Sequence, residues 1–134
     1  MCLSYDLKPK QFDKFKSEAQ KRGYIRAYKV CRYGHTGAFT SRKFKPGMQV
    51  AGQLMKHDGG WYAYLTKTGA RREVRKWHYT KMEIKVCYAK PSWIKRLGTN
   101  SGSTVGIFTH LCFPDWDKGD MTIREFRDRC RENL

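Results

Sequence analysis

The sequence predicts an α+β fold, an antiparallel sheet of four or five strands flanked by an N-terminal and a C-terminal helix. Three observations point there. Segments of alternating apolar and polar residues, the clearest being Lys81 to Tyr88, have the period of strands with one buried and one wet face. Two segments near the ends, Lys8 to Arg22 and Thr122 to Leu134, repeat apolar residues at helical spacing instead. The 134 residues suit one domain, 1–134, and no linker, internal repeat or low-complexity stretch divides them.

The elements follow in order. Lys8 to Arg22 reads as an amphipathic helix, with Pro9 in its first turn, Phe12, Phe15 and Ala19 facing the core, and Gly23 as its stop. Tyr24 to Arg32 is rich in aromatic and β-branched residues and predicts a strand, followed by a turn over Tyr33 to Gly37. Pro46-Gly47 marks a turn before a short strand, Met48 to Leu54, and His57-Asp58-Gly59-Gly60 marks another. Trp61 to Leu65 predicts a strand with Trp61, Ala63 and Leu65 on one face and Tyr62 and Tyr64 on the other.

Thr66 is a suitable N-cap for a helix running to about Trp77, although Gly69 weakens it by about 1 kcal/mol relative to alanine. In the strand Lys81 to Tyr88, Met82, Ile84, Val86 and Tyr88 face inward. Pro91 to Leu97 predicts a helical turn ended by Gly98, and Thr99 to Ser103 a mobile polar loop. Thr104 to Phe113 predicts one strand with Val105, Ile107, Leu111 and Phe113 inward. Thr122, with Glu125 three residues on, opens the C-terminal helix in the pattern of a capping box. Ile123, Phe126, Cys130 and Leu134 form its apolar stripe.

Charge is the outlying property. Lys plus Arg number 28 against 12 Asp plus Glu, a formal net charge of +16. Self-repulsion on that scale works against compactness, so the balance predicts an anionic partner, nucleic acid first. Five dispersed cysteines without a CxxC pair predict free thiols in a reducing cytoplasm. No apolar run has membrane-spanning length, and the first residues lack the pattern of a signal peptide.

The chain resembles a group of small proteins common in bacteriophage and prophage genomes. Four pieces carry the likeness. They are Met-Cys-Leu-Ser-Tyr at residues 1–5, the segment 26–30 followed by Phe44-Lys45-Pro46-Gly47, the run 60–66 leading into Ala70-Arg71, and Ile84-Lys85-Val86 followed by Val105 to Phe113. The resemblance implies a phage or mobile-element origin and a host-cell cytoplasmic setting. It transfers no catalytic residue.

The densest basic stretch is 70–81. On a helix, Arg71, Arg72, Arg75 and Lys76 cluster, with Trp77 available to stack on a base and Lys81 beyond. The bland alternative is a solvated helix face with Val74 and Trp77 packed inward. A second candidate is the stripe Arg124, Arg127 and Arg131 on the last helix, where Glu125, Asp128 and Glu132 offer internal pairing instead. A third is Arg42-Lys43-Phe44-Lys45 beside a turn, with Arg42, Lys43 and Lys45 as the contacts. None matches a named nucleic-acid motif, so contacts with phosphate are expected to dominate over base readout.

Metal and catalysis are weaker readings. Cys31 with His35, and His110 with Cys112, supply zinc-type donors without a zinc-type spacing, so no metal is expected. Acidic residues are scarce and no nucleophile motif appears, so no cofactor or catalytic residue is assigned. The leading expectation is a non-enzymatic phage-type protein that binds nucleic acid or a nucleoprotein complex electrostatically. The alternatives are an inhibitor of a host protein complex, such as a bacterial immune assembly, and a small nucleotide-using enzyme of ADP-ribosyltransferase type with Arg26 and Tyr28 facing a cofactor.

Overall fold

The computed structural model describes residues 5–32, 36–37, 44–50, 60–76 and 81–133. Their elements are β1 (Tyr5–Asp6), α1 (Pro9–Arg22), β2 (Ile25–Arg32), β3 (Thr36–Gly37), β4 (Gly47–Val50), β5 (Trp61–Tyr64), α2 (Lys67–Arg75), β6 (Glu83–Ala89), β7 (Ile94–Asn100), β8 (Ser103–Phe108), β9 (His110–Phe113) and α3 (Ile123–Asn133). The class is α+β, and every strand pairing in the described residues is antiparallel. The strands run in the order β1-β7-β8-β5-β2-β6-β9-β4, with β3 beside β2. That is more strands than the four or five predicted.

The sheet is rolled, and chain connectivity requires it. β8 ends at Phe108 and β9 begins at His110. Two residues of chain reach about 7 Å. Laid flat, β8 and β9 would lie four strand spacings apart, about 19 Å. The intervening strands β5, β2 and β6 therefore curl until β9 meets the end of β8. Ring contacts agree: Trp61 of β5 meets Phe113 of β9 edge-on at 5.7 Å between centroids, and Phe44 packs on both, at 5.6 and 5.0 Å.

The registers assign each strand's two faces. Ala27, Cys87, Ala63, Trp61, Phe108, Leu111 and Phe113 share the concave face and belong to one buried cluster. Tyr28, Val30, Tyr64 and Val105 lie on the convex face, in a second cluster with Ala70 of α2. α3 covers another part of the convex face, where Phe126 packs on Tyr88 at 5.7 Å. α1 joins the main core through Ala19, Phe12 and Phe15 and closes at Gly23, whose φ of 87° is left-handed and whose N–H donates to the Ala19 carbonyl.

Charge also sits on the concave face, where the register sets Lys29 opposite Lys85 and Cys31 opposite Glu83. Lys29 is partly buried, and its Nζ donates to the Tyr62 carbonyl oxygen. It lies 5.4 Å from the centre of the Phe44 ring and 5.9 Å from that of Trp61. Loss of hydration lowers its pKa from the ordinary lysine value, and the nearby Cys31 and Cys87 only partly oppose that.

Three predicted elements change. Pro91 to Leu97 is a helical turn only over Pro91–Trp93; the chain then becomes β7, and Thr99 to Ser103 ends one strand and starts the next instead of forming a loop. Ser101 and Gly102, at φ 51° and 82°, make the two-residue turn with both central residues left-handed, whose twist matches that of paired strands. Second, Thr104 to Phe113 is two strands broken at Thr109, whose N–H and hydroxyl both reach the Trp93 carbonyl. This corner shifts the alternation by one residue. Val105 and Ile107 consequently face the convex side, whereas Leu111 and Phe113 fill the interior. Third, the expected wet face of β6 is buried at Cys87, because the rolled sheet encloses it. The apolar alternation in β5 holds as predicted, and so do α1 and α3 to within a residue or two, whereas in β6 the predicted faces are exchanged: Cys87 lies on the concave interior and Ile84 and Val86 are half-buried on the convex side.

Candidate nucleic-acid interface

α2 is short, and its placement depends on its two unlike faces. Thr66 caps it, accepting the Gly69 N–H at 3.0 Å. Gly69, a propensity penalty in the sequence, is needed for packing. A Cβ there would lie 2.9 Å from Ser103 Cβ, so only glycine lets this turn of helix approach β8 so closely. Ala70 and Glu73 follow on the same inner face.

Glu73 is the only acidic residue between Thr66 and Lys76, and it is 3% exposed. Its Oε2 accepts the Tyr64 hydroxyl at 3.0 Å and lies 3.5 Å from Lys76 Nζ. Burial, with Tyr62 and the Glu73 carboxylate adding to it, pushes the Tyr64 hydroxyl's pKa far up, so it stays a donor. The polar contacts continue outward. Asn100 Nδ2 donates to the Tyr62 hydroxyl at 2.7 Å, Ser101 donates to Asn100 Oδ1 at 3.4 Å, and Lys76 Nζ donates to Ser101 Oγ at 3.2 Å. Arg72 reaches Ser103 Oγ at 3.5 Å. Helix and hairpin turn are thereby tied together.

With the carboxylate turned inward, the outer face of α2 is cationic throughout. Lys67, Arg71, Arg72, Arg75 and Lys76 are all exposed, and beside them stands the exposed turn Ser101-Gly102. Lys81 is exposed too, just ahead of Met82, which shares a buried cluster with Ala70. The basic charges in the last turn also suit the helix dipole, which favours cations at a C-terminus. Trp77 lies outside the described residues.

The remaining predicted contacts divide. Arg124, Arg127 and Arg131 are exposed on α3, over the part of the sheet next to β4 and β9, and they do not join the α2 face. Among the described residues Arg131 makes a 3.8 Å contact with Asp128, and both are well exposed, so this pair neutralises little of the stripe's charge. Lys45 is exposed next to the buried Phe44, and Arg42 and Lys43 lie outside the described residues. Lys67, Ser101 and Ser103 were missed by the sequence reading. The signal for the last two was the Asn100-Ser101-Gly102-Ser103 turn itself.

The metal and enzyme readings gain nothing. Cys31 lies on the concave face and Cys112 on the convex face, so these two thiols are on opposite sides of one sheet; His35 lies outside the described residues. No group of three metal-type ligands gathers among the described residues. Arg26, considered as a cofactor contact, is tied to Asp120 at 2.9 Å and lies over the Tyr88 ring. Cys31, Cys87, Cys112 and Cys130 are free and buried. No described helix is long and apolar enough to cross a membrane.

Comparison with known protein families, with curated proteins and with solved structures finds no match for this chain.

Proposed function

We propose that this is a non-enzymatic, phage-type protein that binds nucleic acid through phosphate contacts made by α2 and the neighbouring β7–β8 turn. The observation that carries the reading is the sorting of charge on α2, with Glu73 inside and five basic side chains outside. Guanidinium groups present forked donors that match phosphate oxygens, and the Ser101-Gly102 turn adds a hydroxyl and open backbone beside them. The helix is held by the buried Tyr64–Glu73 hydrogen bond and by the part-buried bonds at Thr66 and Ser103, so its cations are presented on a fixed scaffold. In this reading Arg71, Arg72 and Arg75 contact the backbone, Lys76 contributes less because Glu73 offsets it, and Lys81 extends the face.

The test is binding to labelled single-stranded and duplex oligonucleotides, followed by fluorescence anisotropy across a salt series. Affinity is expected to fall steeply between about 50 and 200 mM salt, as counterion release requires. Replacing Arg71, Arg72 and Arg75 together by Gln should lower the slope of log K against log salt on duplex by about 2.7, three phosphates at about 0.9 each. Absence of binding at the lowest salt, or an unchanged slope in the triple variant, overturns the reading.

A further inference from the structure

The C-terminal end of α1, Lys90 and α3 enclose a cleft of about 350 Å³ lined by Gly23, Lys90, Phe126, Arg127, Cys130 and Arg131. Three of these six residues are cationic, and none carries a carboxylate. The geometry points to a binding site for a phosphate ester of about mononucleotide size, separate from the α2 surface.

Among the described residues each cation has capacity to spare. Arg127 Nη2 lies over Gly23, 3.3 Å from where a Cβ would stand, and donates to the Arg22 carbonyl only at 3.5 Å. A guanidinium has five N–H donors, so that single long bond leaves most of the fork for a ligand. The same contact places positive charge against the carbonyl end of α1, where the helix dipole would otherwise repel an anion. Among the described residues Arg131 makes only the 3.8 Å contact with Asp128. Lys90 is partly buried and has no carboxylate within ion-pair range among the described residues, although it is close enough to Cys130 to favour that thiol's ionised form against the larger effect of burial.

The floor decides the strength and the class of ligand. Phe126 is 1% exposed and Cys130 5%, so the cations stand at the edge of an apolar base. Charge interactions weaken less there than in open water. Three cations around one small volume suit a dianionic phosphate better than a single carboxylate, and the two guanidiniums match its oxygens by geometry. The volume falls at the lower end of the range for small-molecule sites. Phe126 is covered by Tyr88 and Trp93, so the base of a nucleotide would find no open ring to stack on. Recognition therefore rests on the phosphate.

Isothermal titration with AMP and with adenosine tests the site. AMP is expected to bind and adenosine not to. In a Lys90→Gln/Arg127→Gln variant the AMP affinity should drop by about tenfold or more, as loss of charge-assisted bonds implies. Arg131→Glu, an exposed change that leaves the core alone, should give a similar drop. The Arg71, Arg72 and Arg75 to Gln variant should retain AMP affinity to within about twofold, because distant sites act independently. Oligonucleotides with and without a 5′-phosphate then identify the source. A preference for the phosphorylated end that disappears in Lys90→Gln/Arg127→Gln assigns the site to a nucleic-acid terminus, and equal affinity alongside retained AMP binding assigns it to a free phosphorylated metabolite. Failure of AMP to bind, or equal binding by both cleft variants, overturns the proposal. Loss of oligonucleotide binding with AMP binding intact would remove only the α2 reading.

Discussion

Glu73 illustrates how a single side chain shapes a surface. Turned outward, it would place a carboxylate among Arg71, Arg72 and Arg75 and offset their field. Turned inward, it anchors the helix through Tyr64 and leaves the outer face cationic. A buried carboxylate is tolerated only when its lone pairs are used, and here a phenol and an ammonium use them. Replacing Glu73 with Leu should cost about 1–3 kcal/mol, because the Tyr64 hydroxyl and the inner side of Lys76 lose their acceptor. Urea unfolding checks this, and a Tyr64→Phe/Glu73→Leu double variant should recover part of the loss by removing both partners. If Glu73→Leu is neutral, the carboxylate does not anchor α2. The identity of Arg71, Arg72, Arg75 and Lys76 as a cationic group was legible from their spacing. The position of Glu73 was not, because an acidic residue in a basic run reads equally well as solvated.

At the scale of elements, the amphipathic helices and the strands β2, β5 and β6 were legible because their apolar periods run uninterrupted. β7 was not. Ile94-Lys95-Arg96-Leu97 carries a register shift against β8 between Ile94 and Arg96, so its alternation breaks and resembles a helical turn. What makes it a strand is its hairpin with β8. Gly102 is the residue on which that turn depends, with φ at 82°. Gly102→Ala should therefore destabilise the protein by about 1 kcal/mol. Thermal unfolding would show a lower Tm, and an unchanged Tm would mean the turn relaxes without strain. The same substitution moves Ser101 and Ser103, so it is also expected to weaken oligonucleotide binding slightly while leaving AMP binding unchanged.

At the scale of the whole molecule, a rolled sheet supports a chain of net charge +16. Truncating one large buried aromatic typically costs about 3–5 kcal/mol, more than an exposed cation loses to its neighbours in water. The rolled sheet encloses Trp61, Phe44, Phe113 and Phe108, four such aromatics. The core also sets the response to pH. Burial raises the pKa of Cys31 and of Cys112 from 9.0 to about 11. Between these values the unfolded chain has released thiol protons that the folded chain keeps, so the folded state binds more protons and stability falls as pH rises. Lys29 has the opposite sign: its lowered pKa removes a buried charge as pH rises toward 10.5. With several buried thiols against one lysine, the unfolding free energy should decrease from pH 8 to pH 10.5. Cys112→Ala should flatten that decrease, and Lys29→Met should steepen it. A rise in stability over the same range would mean that Lys29 dominates.

By itself the sequence determined the class, the two terminal helices, the alternation of the central strands and the presence of a concentrated basic segment. These are local properties, set by residue periods and by side-chain charge. Only the tertiary structure decided that the chain turns a corner of the rolled sheet at Thr109, which core residues face inward across that corner, that Glu73 points away from solvent, and that Arg127 and Arg131 meet Lys90 around a cleft. Those outcomes depend on pairings between segments far apart in the chain. A single residue at a corner reverses every face beyond it, and the sequence carries no local mark of that reversal.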